Sequence, residues 1–357
     1  MNGKIHLYKE LFTPGRRVVC ENGELSASVF KYSTGVDAIE VRNSKGYFTV
    51  LPFMGQMIWE MNFLGRNMTM KSMFDEPEQC EAAYGESYGC FLMHCGLTFV
   101  GGPPAGAVAP FHAELPIAKY CDAFLNVGED EKGKYIAVGG RFNYRRAYVA
   151  HYDFIPQYKL YEGATALEMT INIQNHKAAK LEYYYLCHIN YAQFEGSKVV
   201  CTAKPRKLSE KERAELLRRD LSADENTALL NIVENPGEVE VSSENLSICT
   251  RELSYVYESY ADECGDAHTL QIMPDGYSCY VKHRPDELPV SVRWIGYTED
   301  ERSMGMVLPS TCVHISHAKA RELGHDRYLA PGEEITFHIT TGLLSPEETE
   351  AVAAKIK

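Results

Sequence analysis

The feature that most restricts how this chain can fold is a long succession of short strand-like segments with almost no helical pattern between them. LSASVFKYS, AIEVRN, YFTVLPF, KYIAVGGRF, ALEMTINIQN, LEYYYLCHINYA, VSVRWIGY and ITFHITTG are each rich in β-branched or aromatic residues and are bounded by Gly, Pro, Asn or Asp. Such spacing, without intervening helices, predicts antiparallel sheets packed as a large all-β sandwich rather than alternating βα units. With 357 residues the chain has room for two ordinary domains or one large β domain. No repeat, low-complexity tract or linker interrupts it, so a single domain over residues 1–357 is expected, with a pair of smaller β domains as the runner-up.

Helix is expected in few places. Residues 207–234, KLSEKERAELLRRDLSADENTALLNIVE, interleave acidic and basic side chains behind a plausible N-cap at Ser209, and predict a helical insertion between strands. HAKARELG stops at Gly324, and SPEETEAVAAKIK begins with Ser345 as N-cap and Pro346 at the first helical position.

Composition narrows the function. Thirty-six basic against 49 acidic side chains give a net charge of -13, with no Lys/Arg cluster to meet a phosphate backbone, so nucleic acid is not an expected partner. No stretch reaches the roughly 20 apolar residues of a membrane span. The start, MNGKIHLYKELFTPGRR, lacks the apolar centre of a secretion signal, which makes a cytoplasmic location with no membrane contact the expectation. Eleven cysteines, an odd number without a CxxC pair, read as reduced and mostly buried thiols.

Chemistry concentrates in two segments. In YYYLCHINYAQ, read as a strand, Tyr184, Leu186, His188 and Asn190 share one face, and Tyr183, Tyr185, Cys187 and Ile189 the other. A titratable imidazole beside an amide suits an oxygen-rich ligand, although buried polar groups find partners whether or not they act. In YGCFLMHCGLTFVGGPPAGAVAPFHAELP, His94 and His112 flank a Gly/Pro-rich loop, an arrangement that suits a binding-site rim and that turn chemistry alone would also produce. His94, His112 and His188 could gather on a divalent metal, but they form no local ligand motif such as HExxH, so no metal or other cofactor is assigned. His314 and His317, in CVHISHAK, read as solvated or capping residues. Arg66 in FLGRNMTM, and Arg293 in VSVRWIGY, are candidate contacts to a hydroxyl or carboxylate. Arg293 and Trp294 point to opposite faces of a strand, so at most one of them meets the ligand.

These segments resemble the aldose 1-epimerase, or galactose mutarotase-like, superfamily, in particular its bacterial epimerase-like branch. CHIN at 187–190 looks like the motif that carries the family's catalytic histidine, and HCGL at 94–97 resembles a TCGL segment. FHAELP at 111–116 sits where the family has a sugar-binding HG segment, and LPSTC, ARELG and YLAPGEEITF between 308 and 337 are similar to its C-terminal signature. The resemblance implies a β-supersandwich with a sugar on its concave face, His188 as the general acid, His112 as a sugar-hydroxyl contact, Asn190 orienting the strand or ligand, and His94 at the rim. One position departs from the pattern: relatives read LEPxT, with the glutamate as base, where this chain reads VLPST and carries Leu308. Leucine cannot take a proton, so another carboxylate is needed. Glu252 and Glu258 share a face in RELSYVYES, and Glu258 is the first candidate.

The expectation is therefore an isomerase of the EC 5.1.3 type that acts on a small-molecule sugar by acid-base proton transfer, in an assembly compatible with a homodimer. Two rivals stand beside it: a metal-dependent sugar isomerase or lyase using His94, His112 and His188, and a catalytically inactive carbohydrate-binding protein.

Overall fold

The computed structural model describes residues 3–204, 206–249 and 251–356. The strand segments assemble into two large sheets whose named neighbours are all antiparallel, one of ten strands and one of twelve. The ten-stranded sheet runs from Gly3–Leu7 at one edge, through Ala150–Tyr161 and Ala166–Asn175 near its middle, to Glu238–Val241 at the other. In the twelve-stranded sheet, Arg251–Tyr257 lies at an edge, followed by Val290–Tyr297, Arg302–Ser310, Leu181–Ile189 and Leu92–Leu97.

Side-chain alternation decides what each sheet buries. In Ala166–Asn175 every second residue is buried, and Leu167, Met169, Ile171 and Ile173 enter the main core. That core lies between the sheets, where Leu125, Ile136 and Tyr158 of the ten-stranded sheet meet Val41, Phe48 and Cys187 of the twelve-stranded one. Leu181–Ile189 is different, because both of its faces are covered and almost every residue is buried. Tyr183, Tyr185, Cys187 and Ile189 join the inter-sheet core. Tyr184 and Leu186 join a second apolar layer on the outer face of the twelve-stranded sheet, with Val292, Leu308 and Val313. The face assignment read from the sequence holds, and a strand with two buried faces explains its continuous apolar and aromatic run.

Helices are short and capped. Glu210–Leu216 and Ala223–Glu234 lie between the strands Ser197–Cys201 and Glu238–Val241, each opened by a reciprocal capping box, Ser209 with Glu212 and Ser222 with Glu225. They are two helices rather than one, since a second cap at Ser222 restarts the helix after a break. Arg213 clamps both carboxylate oxygens of Glu234 at 2.6 and 2.7 Å, tying the pair together. Ser345 caps Pro346–Ala353 in the same way. All eleven cysteines are free thiols, and among the described residues no helix is long and apolar enough to cross a membrane.

Candidate functional site

A cavity of about 710 Å³ opens over the outer face of the twelve-stranded sheet, above the second apolar layer. Four strands supply its floor and one wall: Leu186 and His188 from Leu181–Ile189, Leu308 from Arg302–Ser310, Val292 and Trp294 from Val290–Tyr297, and Glu252 and Ser254 from Arg251–Tyr257. Two loops bring in His112 and His314. Gly101 holds the two loops together: its φ of +78° lies in the left-handed region, and a Cβ there would stand 2.0 Å from the His314 carbonyl oxygen. Its neighbour Gly102 donates its N–H to Ile315 O at 3.1 Å, closing the contact.

The imidazole of His188 is oriented from below. Asn190 donates from Nδ2 to the Cys90 carbonyl oxygen at 3.0 Å, which turns its Oδ1 toward His188 Nδ1 at 2.7 Å. Nδ1 therefore carries the hydrogen in the neutral ring, and Nε2 is left as a bare acceptor. Burial pushes the His188 pKa down to about 4, opposed by the Asn190 hydrogen bond and aided by nearby His314. The ring is neutral at pH 7. His112 is held in the opposite tautomer: its Nδ1 accepts the Gly101 N–H at 3.1 Å, so its hydrogen sits on Nε2. Burial, with His188 and His314 nearby, pushes His112 well below the usual histidine range. The two rings stand 6.0 Å apart, one a hydrogen-bond acceptor and the other a donor, as a single hydroxyl group requires.

His314 completes the set. Burial lowers its pKa to about 4, and its Nδ1 is a buried atom without a hydrogen-bond partner. Aromatic rings crowd His188, with Trp294 at 5.2 Å and Tyr88 at 6.3 Å, both edge-on. Trp294 Nε1 donates to Glu252 Oε2 at 2.8 Å, which fixes a carboxylate on the wall that carries the indole. Among the described residues no group of three or more His, Cys, Asp or Glu side chains is arranged to hold a metal ion.

Of the residues expected from the sequence, His188 and His112 line this cavity and Asn190 lies directly behind His188. The others lie elsewhere, for identifiable reasons. His94 is fully buried between the sheets and not at a rim; its ring sits between two tyrosine hydroxyls, 2.8 Å from Tyr185 and 2.6 Å from Tyr158. The three histidines expected to gather on a metal are thereby separated. Glu258 pairs with Lys204 at 2.8 Å, beyond the end of its strand and at a different cavity. Arg66 is engaged by Asp275 and lies over the Tyr277 ring. Arg293 is fully buried on the core side of its strand, where Met306 O, Pro236 O and Tyr255 Oη accept its hydrogens at 3.0, 2.7 and 3.2 Å.

Trp294, Glu252 and His314 are among the cavity residues that the sequence does not single out as site residues. Trp294 and Glu252 were each one member of a pair whose other member was preferred. His314 follows the end of the strand Arg302–Ser310, in an irregular segment that the β-rich composition disguises, whereas its presumed companion His317 opens the helix His317–Glu322. Leu308 does line the cavity, 1% exposed, at the position where the resemblance calls for a glutamate.

The two large antiparallel sheets form a β-sandwich of the galactose mutarotase-like fold. Residues 33–343 match the family described as Domain of unknown function (DUF4432), and the chain belongs to that family. No curated protein sequence matches the chain significantly. Among solved structures, the fold is shared with a candidate aldose 1-epimerase from Klebsiella pneumoniae at a TM-score of 0.76, with 14% identity and coverage of 100% of this chain and 95% of that one. A galactose mutarotase-like protein from Clostridium acetobutylicum superposes with a TM-score of 0.59 at 10% identity, over 91% of this chain and all of that one. A candidate aldose 1-epimerase from Escherichia coli K12 gives 0.51 at 13%, over 84% and 96%.

Proposed function

We propose that the protein is a carbohydrate-active enzyme that interconverts forms of a sugar by acid-base proton transfer, with His188 as the group that moves the proton. The observation that carries this reading is the Asn190-held ring of His188 in a cavity shared with His112 and Glu252. Opening a cyclic hemiacetal requires a proton to leave the anomeric hydroxyl and another to reach the ring oxygen as the bond from that oxygen to the anomeric carbon breaks. Both oxygens are attached to the same carbon. A neutral Nε2 takes the hydroxyl proton as a base, and the resulting imidazolium, as general acid, gives it to the ring oxygen. Proton and bond counts close with one histidine and no residue at 308. Asn190 Oδ1 keeps its hydrogen bond to Nδ1 in both states, His112 Nε2–H is placed to donate to a sugar oxygen, and Glu252 offsets the transient positive charge. Trp294 and Tyr88 give the apolar face of a sugar ring surfaces to rest on.

The test is the interconversion rate of the anomers of a panel of aldoses, followed by polarimetry or NMR, for the wild type and His188→Ala. Loss of about a hundredfold or more in the variant is expected; equal rates would remove the mechanism. Leu308 favours a second reading, a carbohydrate-binding protein without turnover. Saturable sugar binding with no rate above the uncatalysed one would establish it.

A further inference from the structure

A second cavity, of about 700 Å³, lies beside the first on the outer face of the same sheet. The two share no lining residue, yet they are built from the same segments: Ser254 faces the first and Val256 the second, Val292 the first and Val290 the second, His314 the first and Val313 the second. Positions two apart on a strand point the same way and are separated by about 7 Å, the reach of a single sugar ring. The floor is continuous, because Val290, Val292, Leu308 and Val313 belong to one apolar layer, with Val256 packed against it.

What distinguishes the second cavity is its charge. On a chain of net charge -13, its lining carries Lys204, Arg206, His325 and Arg327 against a single carboxylate, Glu258. Glu258 engages Lys204, and Glu212 engages Arg206. Arg327 has no ion pair among the described residues. His325 accepts the Val313 N–H on Nδ1 at 3.2 Å, so its neutral ring carries the hydrogen on Nε2 and is a further donor. A guanidinium without a carboxylate, next to a fixed imidazole N–H and above apolar walls of Pro285, Pro289 and Val290, is suited to an anionic group carried on a ring.

We infer that the second cavity is a subsite for an acidic group, carboxylate or phosphate, borne by the same saccharide whose reacting ring occupies the first cavity, with Arg327 as its principal partner. The inference rests on the proposed function for the reacting end, and it narrows the substrate class to acidic sugar derivatives.

The experiment is calorimetric and needs no turnover. Binding of D-glucuronate and D-galacturonate, of D-glucose 6-phosphate and D-galactose 6-phosphate, and of the neutral parent sugars is measured for the wild type, Arg327→Gln and Lys204→Gln. Wild type is expected to bind at least one acidic form about tenfold or more tighter than its neutral parent, with the margin shrinking as salt is added. Arg327→Gln should erase most of that margin and leave the neutral sugar unaffected. Whether uronates or phosphates gain more separates the two acid chemistries. Absence of saturable binding by every acidic probe, equal affinities for acidic and neutral forms, or a margin that survives in both variants would overturn the inference. An acid preference without turnover would retire the proposed function and leave the subsite standing; turnover of neutral sugars without an acid preference would do the reverse.

Discussion

His188 and Asn190 are joined by a 2.7 Å hydrogen bond between Nδ1 and Oδ1, and the same amide donates to the Cys90 carbonyl oxygen. The bond decides which nitrogen of His188 is available. Burial decides its charge, lowering the pKa to about 4. A reaction that begins with neutral Nε2 should therefore run at constant kcat/KM from about pH 8 down to about pH 5, and fall only as the ring protonates near pH 4. The measurement is a pH profile in buffers whose own catalysis has been subtracted. An acid limb centred near 6.5, the ordinary histidine value, would show that the ring is not held in the desolvated state.

Asn190→Asp tests the orienting bond directly. Aspartate keeps an oxygen against Nδ1 but adds a negative charge, which favours the imidazolium. The acid limb of kcat/KM should move up by about one pH unit or more, while activity at pH 8 is affected less. The lost donor to Cys90 O should also lower the melting temperature. Asn190→Ala, with no acceptor at all, should move the limb down, since the hydrogen bond is what opposes burial. Limbs that stay in place in both variants would mean that Asn190 does not act through His188.

Glu252, on the strand Arg251–Tyr257, and Glu258, just past its end, offer a comparison. Glu252 accepts from Trp294 Nε1 inside the His188 cavity, and Glu258 pairs with Lys204 outside it. Glu252→Gln retains an oxygen for the indole and removes only the charge, so kcat should drop about tenfold, the equivalent of about 1.4 kcal/mol of lost support for the imidazolium. Glu258→Gln should leave kcat on neutral sugars near the wild-type value. Equal losses, or a larger one for Glu258→Gln, would reverse the assignment.

These residues also show what could be read in advance. Alternation along a strand is a property of the backbone, so the sequence was enough to put Glu252 with Glu258, Arg293 opposite Trp294, and His188 opposite Cys187. Which face meets the ligand depends on what packs against the sheet, and that is tertiary. Arginine at 293 reads as a ligand contact because a guanidinium pairs well with a hydroxyl or carboxylate; here two carbonyl oxygens, 57 and 13 residues away in the chain, and the Tyr255 hydroxyl satisfy it. His94 deceived for the same reason, its partners being tyrosines from two different strands. The strand Ala150–Tyr161 has an interior Pro156, ordinarily a sign against a central strand. The structure accommodates it where the register with Gly133–Arg146 skips Ile155 and Pro156.

The buried histidines give the fold an acid sensitivity that is separate from catalysis. Burial lowers His94 to about 3, and His188, His283 and His314 to about 4, from an ordinary 6.5. In the unfolded chain these rings take up protons as the pH falls through 6.5, whereas in the folded chain they stay neutral until pH 3 to 4. The stability they contribute is therefore complete above pH 6.5 and is lost progressively between 6.5 and about 4, on the order of several kcal/mol for the set. Urea midpoints should be level above pH 7 and decline between 6.5 and 4. In His94→Leu the decline should be shallower, because one of the buried rings no longer titrates. The variant should also be less stable at pH 7 by about 1–3 kcal/mol, since the Tyr185 hydroxyl loses its acceptor in the dry core while Tyr158 keeps its bond to Gln56 O. Midpoints independent of pH across that window in the wild type would show that these rings are not neutral and desolvated in the folded protein.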